Sequence, residues 1–523
     1  MTINTQAIGP FAGLNNRLPD YALGATKEHG AYLSVAENVD LDNSGHLRLR
    51  HAGALVQAMS APHSLSPDGA YLVRGGALYA ITLPTYSETL VKVLSNDNPV
   101  SWVEVNSDLY YSNGTDAGRL SAGTHYPMAM PTPSAPTCTV ISGALYAGKY
   151  QVAVSYLNNV TGEEGGVSAS SNYELAVDGG LRVTLPVATT GATHINVYVS
   201  TVNGSIPMLK ATVATGTATY DITTPATGRE SNQRYEDPLP AGKLFWFNGC
   251  LCSFDGSNVY EGSPFRPGYY LPAEGRIPFP DTVSNVVPAQ NGVYVVADKT
   301  YWLAGPRMTT TEMIQDVLPY GGVPGTAFVV PQKSLYGWFG AKGFVLGSPQ
   351  GEVQAVMTET VNVTPPASGV SAVFEDRGYR RVVSCGYCLN LDNLGVTTYT
   401  DYAYTSIAGQ YGTRADGIYD LSALGNVNYT IGLGKQDFGA ENLKHMPAVY
   451  LGCSSVDPMQ VRIQTPIHDF TYTARAYAEE LKMQRVDAGR GLRSNWFDLS
   501  IIGESDFTLA SVSFGPVASQ RRI

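Results

Sequence analysis

Residues 239–305 contain two copies of one short pattern, and a repeat of this size restricts the folds open to the chain. In each copy an apolar run ends in Asn-Gly, first at Asn248-Gly249 and again at Asn291-Gly292. An apolar strand follows, then an Asp six residues after the Gly (Asp255, Asp298), then an aromatic residue on a closing strand (Tyr260, Tyr301). Asn and Gly both tolerate positive φ, so the pair predicts a tight hairpin between buried strands. The copies start 43 residues apart, the length of one blade in a β-propeller.

Weaker copies flank them. Gly386 heads a third strand with Asp392 six residues on, and Gly343 heads another 43 residues before it. Upstream, Gly76 and Asp108 head similar strands. The 141 residues from Asp108 to Gly249 break the rhythm, and removing a domain of about a hundred residues restores it. The expected fold is therefore all-β: a β-propeller interrupted by an inserted domain. Unrelated hairpins in a sandwich array are the alternative, and the blade number is left at five, six or seven.

Composition agrees with a turn-rich β protein. There are 55 Gly, 32 Pro and 33 Tyr, and only 15% of residues are charged. Helical periodicity is confined to 474–483 (ARAYAEELKM). A net charge of −11 argues against DNA binding through a basic surface. No apolar run reaches the length of a membrane span. Residues 1–16 lack the charged and apolar regions of a secretory signal, and six cysteines do not make a disulfide scaffold. Synthesis in a reducing cytoplasm is the expectation.

Four regions follow. Residues 1–130 hold an N-terminal hairpin and the first blades. The hairpin alternates Val39, Leu41 and Leu47, Leu49 with polar residues around Asn43-Ser44-Gly45. Residues 131–232 are the insert. It opens on the stiff Pro131-Thr-Pro-Ser-Ala-Pro136 and continues through alternating strands at 148–156 and 194–200. Residues 233–395 hold the remaining blades. Residues 396–523 form a C-terminal β-rich domain that completes the propeller or makes subunit contacts. Strand signals there fall at 460–464, 496–502 and 507–514.

No catalytic, cofactor or metal residue is assigned, and the protein is expected not to be an enzyme. Asp40, Asp42, Ser44 and Gly45 begin like a calcium loop, but His51 stands where the bidentate Glu belongs, so a turn is preferred. Cys250-Leu-Cys252 and Cys385-Gly-Tyr-Cys388 carry enough thiols for a zinc site. They are 133 residues apart, and Cys-x-Cys on a strand places both sulfurs on one face, as packing thiols would be. Asp255, Asp298 and Asp392 share one repeat position, which marks turn acids rather than an asymmetric active site. Arg475, Arg485, Arg490, Arg493, Arg521 and Arg522 concentrate positive charge near the C-terminus, as an interface or as a solvated face.

The strings GKYQVAVSYLNNVTGEEG and INVYVSTVNG resemble a fibronectin type III module. Three further pieces carry a wider resemblance: GPFAGLNN…AENVDLDNSGHLRLR at the N-terminus, the interrupted blade set, and VDAGRGLRSNWFDLSIIGESDFTLASVSF…RRI at the C-terminus. Together they are similar to the tail nozzle of short-tailed phages, also called tail tubular protein B, and to the packaged-DNA stabilisation proteins of related phages. The resemblance implies a virion structural protein without cofactors. Six copies would form a ring below the portal and adaptor, in contact with distal tail proteins and with room for tail fibres. Double-stranded DNA would pass without sequence-specific binding, along a lumen expected to be neutral or acidic. Two other classes remain: a receptor- or carbohydrate-binding tail adhesin, and a propeller glycoside hydrolase.

Overall fold

The computed structural model describes residues 6–24, 30–311, 314–439, 442–489 and 491–518. Among them helix is limited to two 3-10 turns, Asp20–Ala22 and Pro331–Lys333. Seven antiparallel sheets form the blades of a β-propeller: blade 1 (71–93), blade 2 (101–127), blade 3 (243–278), blade 4 (285–318), blade 5 (328–355), blade 6 (371–398) and blade 7 (406–420). Blade 1 is completed by His63, which bridges Val73.

Successive blades are joined by side chains from both. Val73 and Leu78 pack with Tyr111 and Leu120, and Val103 and Tyr110 with Leu244 and Leu251. Phe254 shares a cluster with Val293, and Tyr294 lies 5.4 Å from Trp338. Phe339 stacks on Tyr387 at 5.6 Å, and the first strands of blades 6 and 7 adjoin. The circuit closes where Leu65, Leu72 and Ile81 of the blade 1 region meet Ile418 of blade 7. The outer strand of blade 7, Ala54–Ala58, comes from the far end of the chain and pairs with Gly417–Asp420. Closing the ring this way protects sheet edges without a partner.

The repeated glycines do two different jobs. Asn248 (φ 43°) and Gly249 (φ 85°) form the expected left-handed turn. In the second copy the loop is Gln290-Asn291, and Gly292 already pairs with Ala289 on the strand. A Cβ there would lie 2.3 Å from the Leu303 carbonyl and 2.7 Å from the Trp302 ring, so Gly292 is required by packing rather than by φ. The repeat also slips: Gly249 follows the first strand of blade 3, whereas Gly343 and Gly386 follow the second strand of blades 5 and 6.

Between blades 2 and 3 lies a two-sheet sandwich. Cys138–Leu145, Gly179–Thr184 and Thr219–Ile222 form one layer. Gly148–Asn158 is central to the other, with His194–Ser200 and Pro207–Ala214 on one side. Tyr150, Val152 and Val154, with Val197 beside them, face Leu181 and Val183 in a core of its own.

A second sandwich, the tail, is made from both chain ends. One sheet orders Lys482–Asp487, Ala448–Ser455, Phe507–Phe514, Leu47–Leu49 and Val39–Leu41. The other continues blade 6: beyond Val396–Thr398 come Val35–Glu37, Tyr429–Gln436, Phe497–Gly503, Gln460–Gln464 and Asp469–Thr473. The N-terminal hairpin therefore forms as expected but belongs to the tail, not to the first blades. Its partner Phe507–Phe514 is more than four hundred residues away, a pairing that local alternation cannot reveal. The helical reading of 474–483 fails as well. Ala474 bridges Val486, and Lys482–Asp487 is a strand. A ten-residue helix is marginal in water, and sheet pairing outweighs it. In a ring of seven, the insert leaves between blades 2 and 3 and the tail is fused at blade 6, so the two lie on opposite sides.

Candidate functional site

The amphipathic expectation for the hairpin places Asp40 in solvent. The structure buries it completely, because Val39 and Leu41 enter the tail core while Asp40 faces blade 6. Its carboxylate lies 3.8 Å from Arg377 Nη1 and 3.6 Å from Arg381 Nε, and accepts hydrogen bonds from the Tyr379 hydroxyl at 3.2 Å and from the Tyr399 hydroxyl. Burial opposes the Arg381 charge, but Asp40 and its neighbours outweigh it and hold the guanidinium protonated. Burial, reinforced by Asp40, keeps the Tyr399 phenol protonated, and burial pushes the Cys388 thiol up to about 12. Arg50, also buried, donates to Asn38 Oδ1 (2.8 Å) and to the Thr400 carbonyl (3.0 Å), and covers the Tyr399 ring at 5.2 Å. Solvent does not reach Asp40, so these groups clamp the N-terminal segment between tail and blade 6 rather than meet a substrate.

Beside this clamp, between blades 6 and 7, opens a cleft of about 460 Å³. One wall carries Tyr399, Tyr402 and Tyr404. The other carries Ser384-Cys385-Gly386 and the approach to blade 6 at 366–370.

The insert is held differently. Its Glu163–Glu164 strand reaches the propeller. Glu163 accepts from the Tyr269 hydroxyl at 3.0 Å and lies 3.8 Å from Arg119 of blade 2. Arg266 donates to Glu236 (2.6 Å) and to the Glu164 carbonyl (2.6 Å), with its guanidinium 4.5 Å over the Tyr269 ring. Most of these side chains are part-exposed: Arg119 23%, Glu163 25%, Arg266 24%.

The residues singled out in the sequence are not brought together. Asp255 is exposed at a hairpin end, Asp298 accepts from the Tyr301 hydroxyl at 2.8 Å, and Asp392 pairs with Lys333 from another blade. Cys250 and Cys252 are buried in blade 3, while Cys385 and Cys388 belong to blade 6. Among the described residues no group of three or more His, Cys, Asp or Glu is arranged to hold a metal. Asp42 Oδ1 accepts from the Ser44 and His46 amides, both at 2.9 Å, as a turn residue does. Arg475 and Arg485 both pair with Asp487. Arg490, Arg521 and Arg522 lie outside the described residues. The Asp40 clamp escaped the sequence reading. Its signal is an Asp between two core residues (VDL) together with the run Arg377-Gly-Tyr-Arg-Arg381.

No family model and no curated protein matches the chain. Among solved structures, BamB from Moraxella catarrhalis aligns at 10% identity and a TM-score of 0.31 over 70% of this chain and 96% of its own. An exo-beta-1,3-galactanase from Phanerochaete chrysosporium aligns at 10% identity and 0.18, over 79% and 95%. A glycoside hydrolase family 43 arabinoxylan arabinofuranohydrolase from Bacillus subtilis aligns at 10% and 0.18, over 93% and 96%. Likeness at this level carries no functional argument, and the propeller rests on the strand pairing described above.

Proposed function

We propose that this protein is a non-enzymatic structural component of a phage tail, the subunit of a six-fold ring-shaped nozzle below the portal and adaptor. The observation that carries the reading is the placement of two sandwiches on opposite sides of a closed propeller. A subunit with distinct bodies at opposite flanks is suited to a heterologous, head-to-tail contact, and such a contact makes a ring when its rotation closes. Closed blades limit uncontrolled strand addition, leaving loops and sandwiches to carry contacts. The net charge of −11 suits a channel that retains and then conducts DNA, since dense Lys and Arg would hold phosphates and slow its exit. The hydrolase reading draws no support from the Asp40 cluster, which lies away from solvent.

The test is the solution mass of the purified protein, alone and with adaptor and distal tail proteins, followed by negative-stain imaging. The expected result is a six-fold ring with a central hole, alone or after assembly. A persistent monomer that ignores the tail and binds cells overturns the nozzle in favour of the adhesin.

A further inference from the structure

The cleft between blades 6 and 7 adjoins the clamp and shares Tyr399 with it. None of its lining residues is Asp, Glu, Lys or Arg. Its floor is a set of fixed aromatic rings. Tyr399 and Tyr402 meet edge to face at 5.0 Å, and Tyr402 and Tyr404 at 4.8 Å. Arg50 stacks at 5.6 Å on Tyr402, and Arg414 at 5.6 Å on Tyr404, so two cations hold the rings from outside the cleft. The Tyr402 hydroxyl makes no hydrogen bond among the described residues and is not a buried orphan, which leaves it open to a ligand.

The opposite wall is strained. Cys385 stands at φ 53°, a left-handed position that non-glycine residues seldom adopt. Gly369 crosses so close that a Cβ there would lie 2.6 Å from Cys385 Sγ. Backbone strain retained beside a cavity is a feature of binding sites. The volume falls within the range of pockets for small ligands.

We propose that this cleft binds a short neutral oligosaccharide. An uncharged lining disfavours an ionic ligand, which would be desolvated without a counter-charge. The Tyr402 and Tyr404 faces accept the apolar C–H face of a pyranose ring, and the Tyr402 and Ser368 hydroxyls with the Gly369 and Gly386 backbone meet its hydroxyl groups. The assignment stands independently of the ring reading.

Cys385 provides the probe. Cys138 is the other thiol that is not fully buried. In full-length Cys138→Ser protein, maleimide labelling therefore reports on the cleft. Maltotriose, cellotriose and mannotriose are compared with sialyllactose as the charged control. The expected result is that at least one neutral sugar slows Cys385 labelling while sialyllactose does not. Tyr402→Phe, which keeps the ring, weakens that protection about tenfold, the effect of one lost hydrogen bond. Tyr402→Ala abolishes it, with circular dichroism and the melting temperature confirming the fold. Unchanged labelling with all three neutral sugars overturns the proposal. So does equal protection by the charged sugar, or protection that survives Tyr402→Ala.

Discussion

The tail and the insert are attached to the propeller by the same residue types, arginines, carboxylates and tyrosines, but in opposite surroundings. At the tail joint Asp40 is wholly buried and Arg381 is 5% exposed. At the insert joint Arg266 and Glu163 are each about a quarter exposed. The tail also shares a nine-stranded sheet with blade 6. Among the described residues the insert shares no sheet with the propeller, and it enters through proline-rich chain. Water decides the difference: a charge pair sealed from solvent becomes costly to break, while a wetted one is nearly neutral. One joint is thus part of the core and the other is a docking contact.

Substitutions separate the two. The largest effect is expected from Asp40→Ala, which removes the buried carboxylate shared by Arg377 and Arg381 and leaves Arg381 with Asp376 alone. A loss of about 3–5 kcal/mol is expected in urea unfolding. A loss below about 1 kcal/mol would mean that water reaches the site. Tyr399→Phe removes one donor to Asp40 and should cost about 1–3 kcal/mol in the same measurement.

Acid should also distinguish the joints. His51 lies 3.6 Å from Asp376 at the tail joint, and burial, then Arg377, lower its pKa below the usual value. The folded state therefore binds fewer protons than the unfolded one. The stability this contributes is complete above about pH 6.5 and is lost as pH falls from there through the lowered value. Asp376 acts in the same direction at lower pH. Burial raises its carboxyl, but the hydrogen bond from Arg381 and the nearby charges of Arg381, His51 and Arg377 together outweigh burial and leave it below the usual value. Melting temperatures between pH 7 and 5 should fall less in His51→Gln than in the parent. Equal slopes would place the sensitivity elsewhere, with His125 of blade 2, also lowered by burial, as the next candidate.

The smallest effect is expected at the insert. Arg266→Ala loses one carbonyl contact and an ion pair in which the arginine is part-exposed and Glu236 is buried, about 1–2 kcal/mol. Its readout is faster proteolysis of the chain flanking the insert at 131–137 and 233–238, with the tail unaffected. If Arg266→Ala matches Asp40→Ala in unfolding free energy, the contrast between the joints is wrong.

Individual strands and turns are legible in the sequence because each is set by neighbouring residues. The Asn248-Gly249 turn, the alternation at 148–156 and the strand at 507–514 each follow from a few adjacent residues. Gly292 was read correctly as special but for the wrong reason, since its requirement comes from Trp302 across the sheet. Of the sites, Asp255 ends and Asp298 follows the second strand of its blade while Asp392 follows the third, so the three do not share one repeat position, and the Asp40 clamp and the tyrosine cleft have no local signature. Nothing in the string VTTYTDYAYTS, residues 396–406, states that Arg50 and Arg414 stack on its rings.

Local periodicity, turn residues and the interrupted spacing determined an all-β chain of repeated hairpins with a sandwich set inside it. Only the tertiary structure decided that there are seven blades, that Ala54–Ala58 closes the last, and that the first hairpin belongs with the last strands. The physical reason is the range of the interactions. A turn or an alternating strand is set by contacts within a few residues, and these are written in order along the chain. Ring closure, the joining of the two chain ends and the burial of Asp40 depend on partners hundreds of residues away, which the folded core alone brings into register.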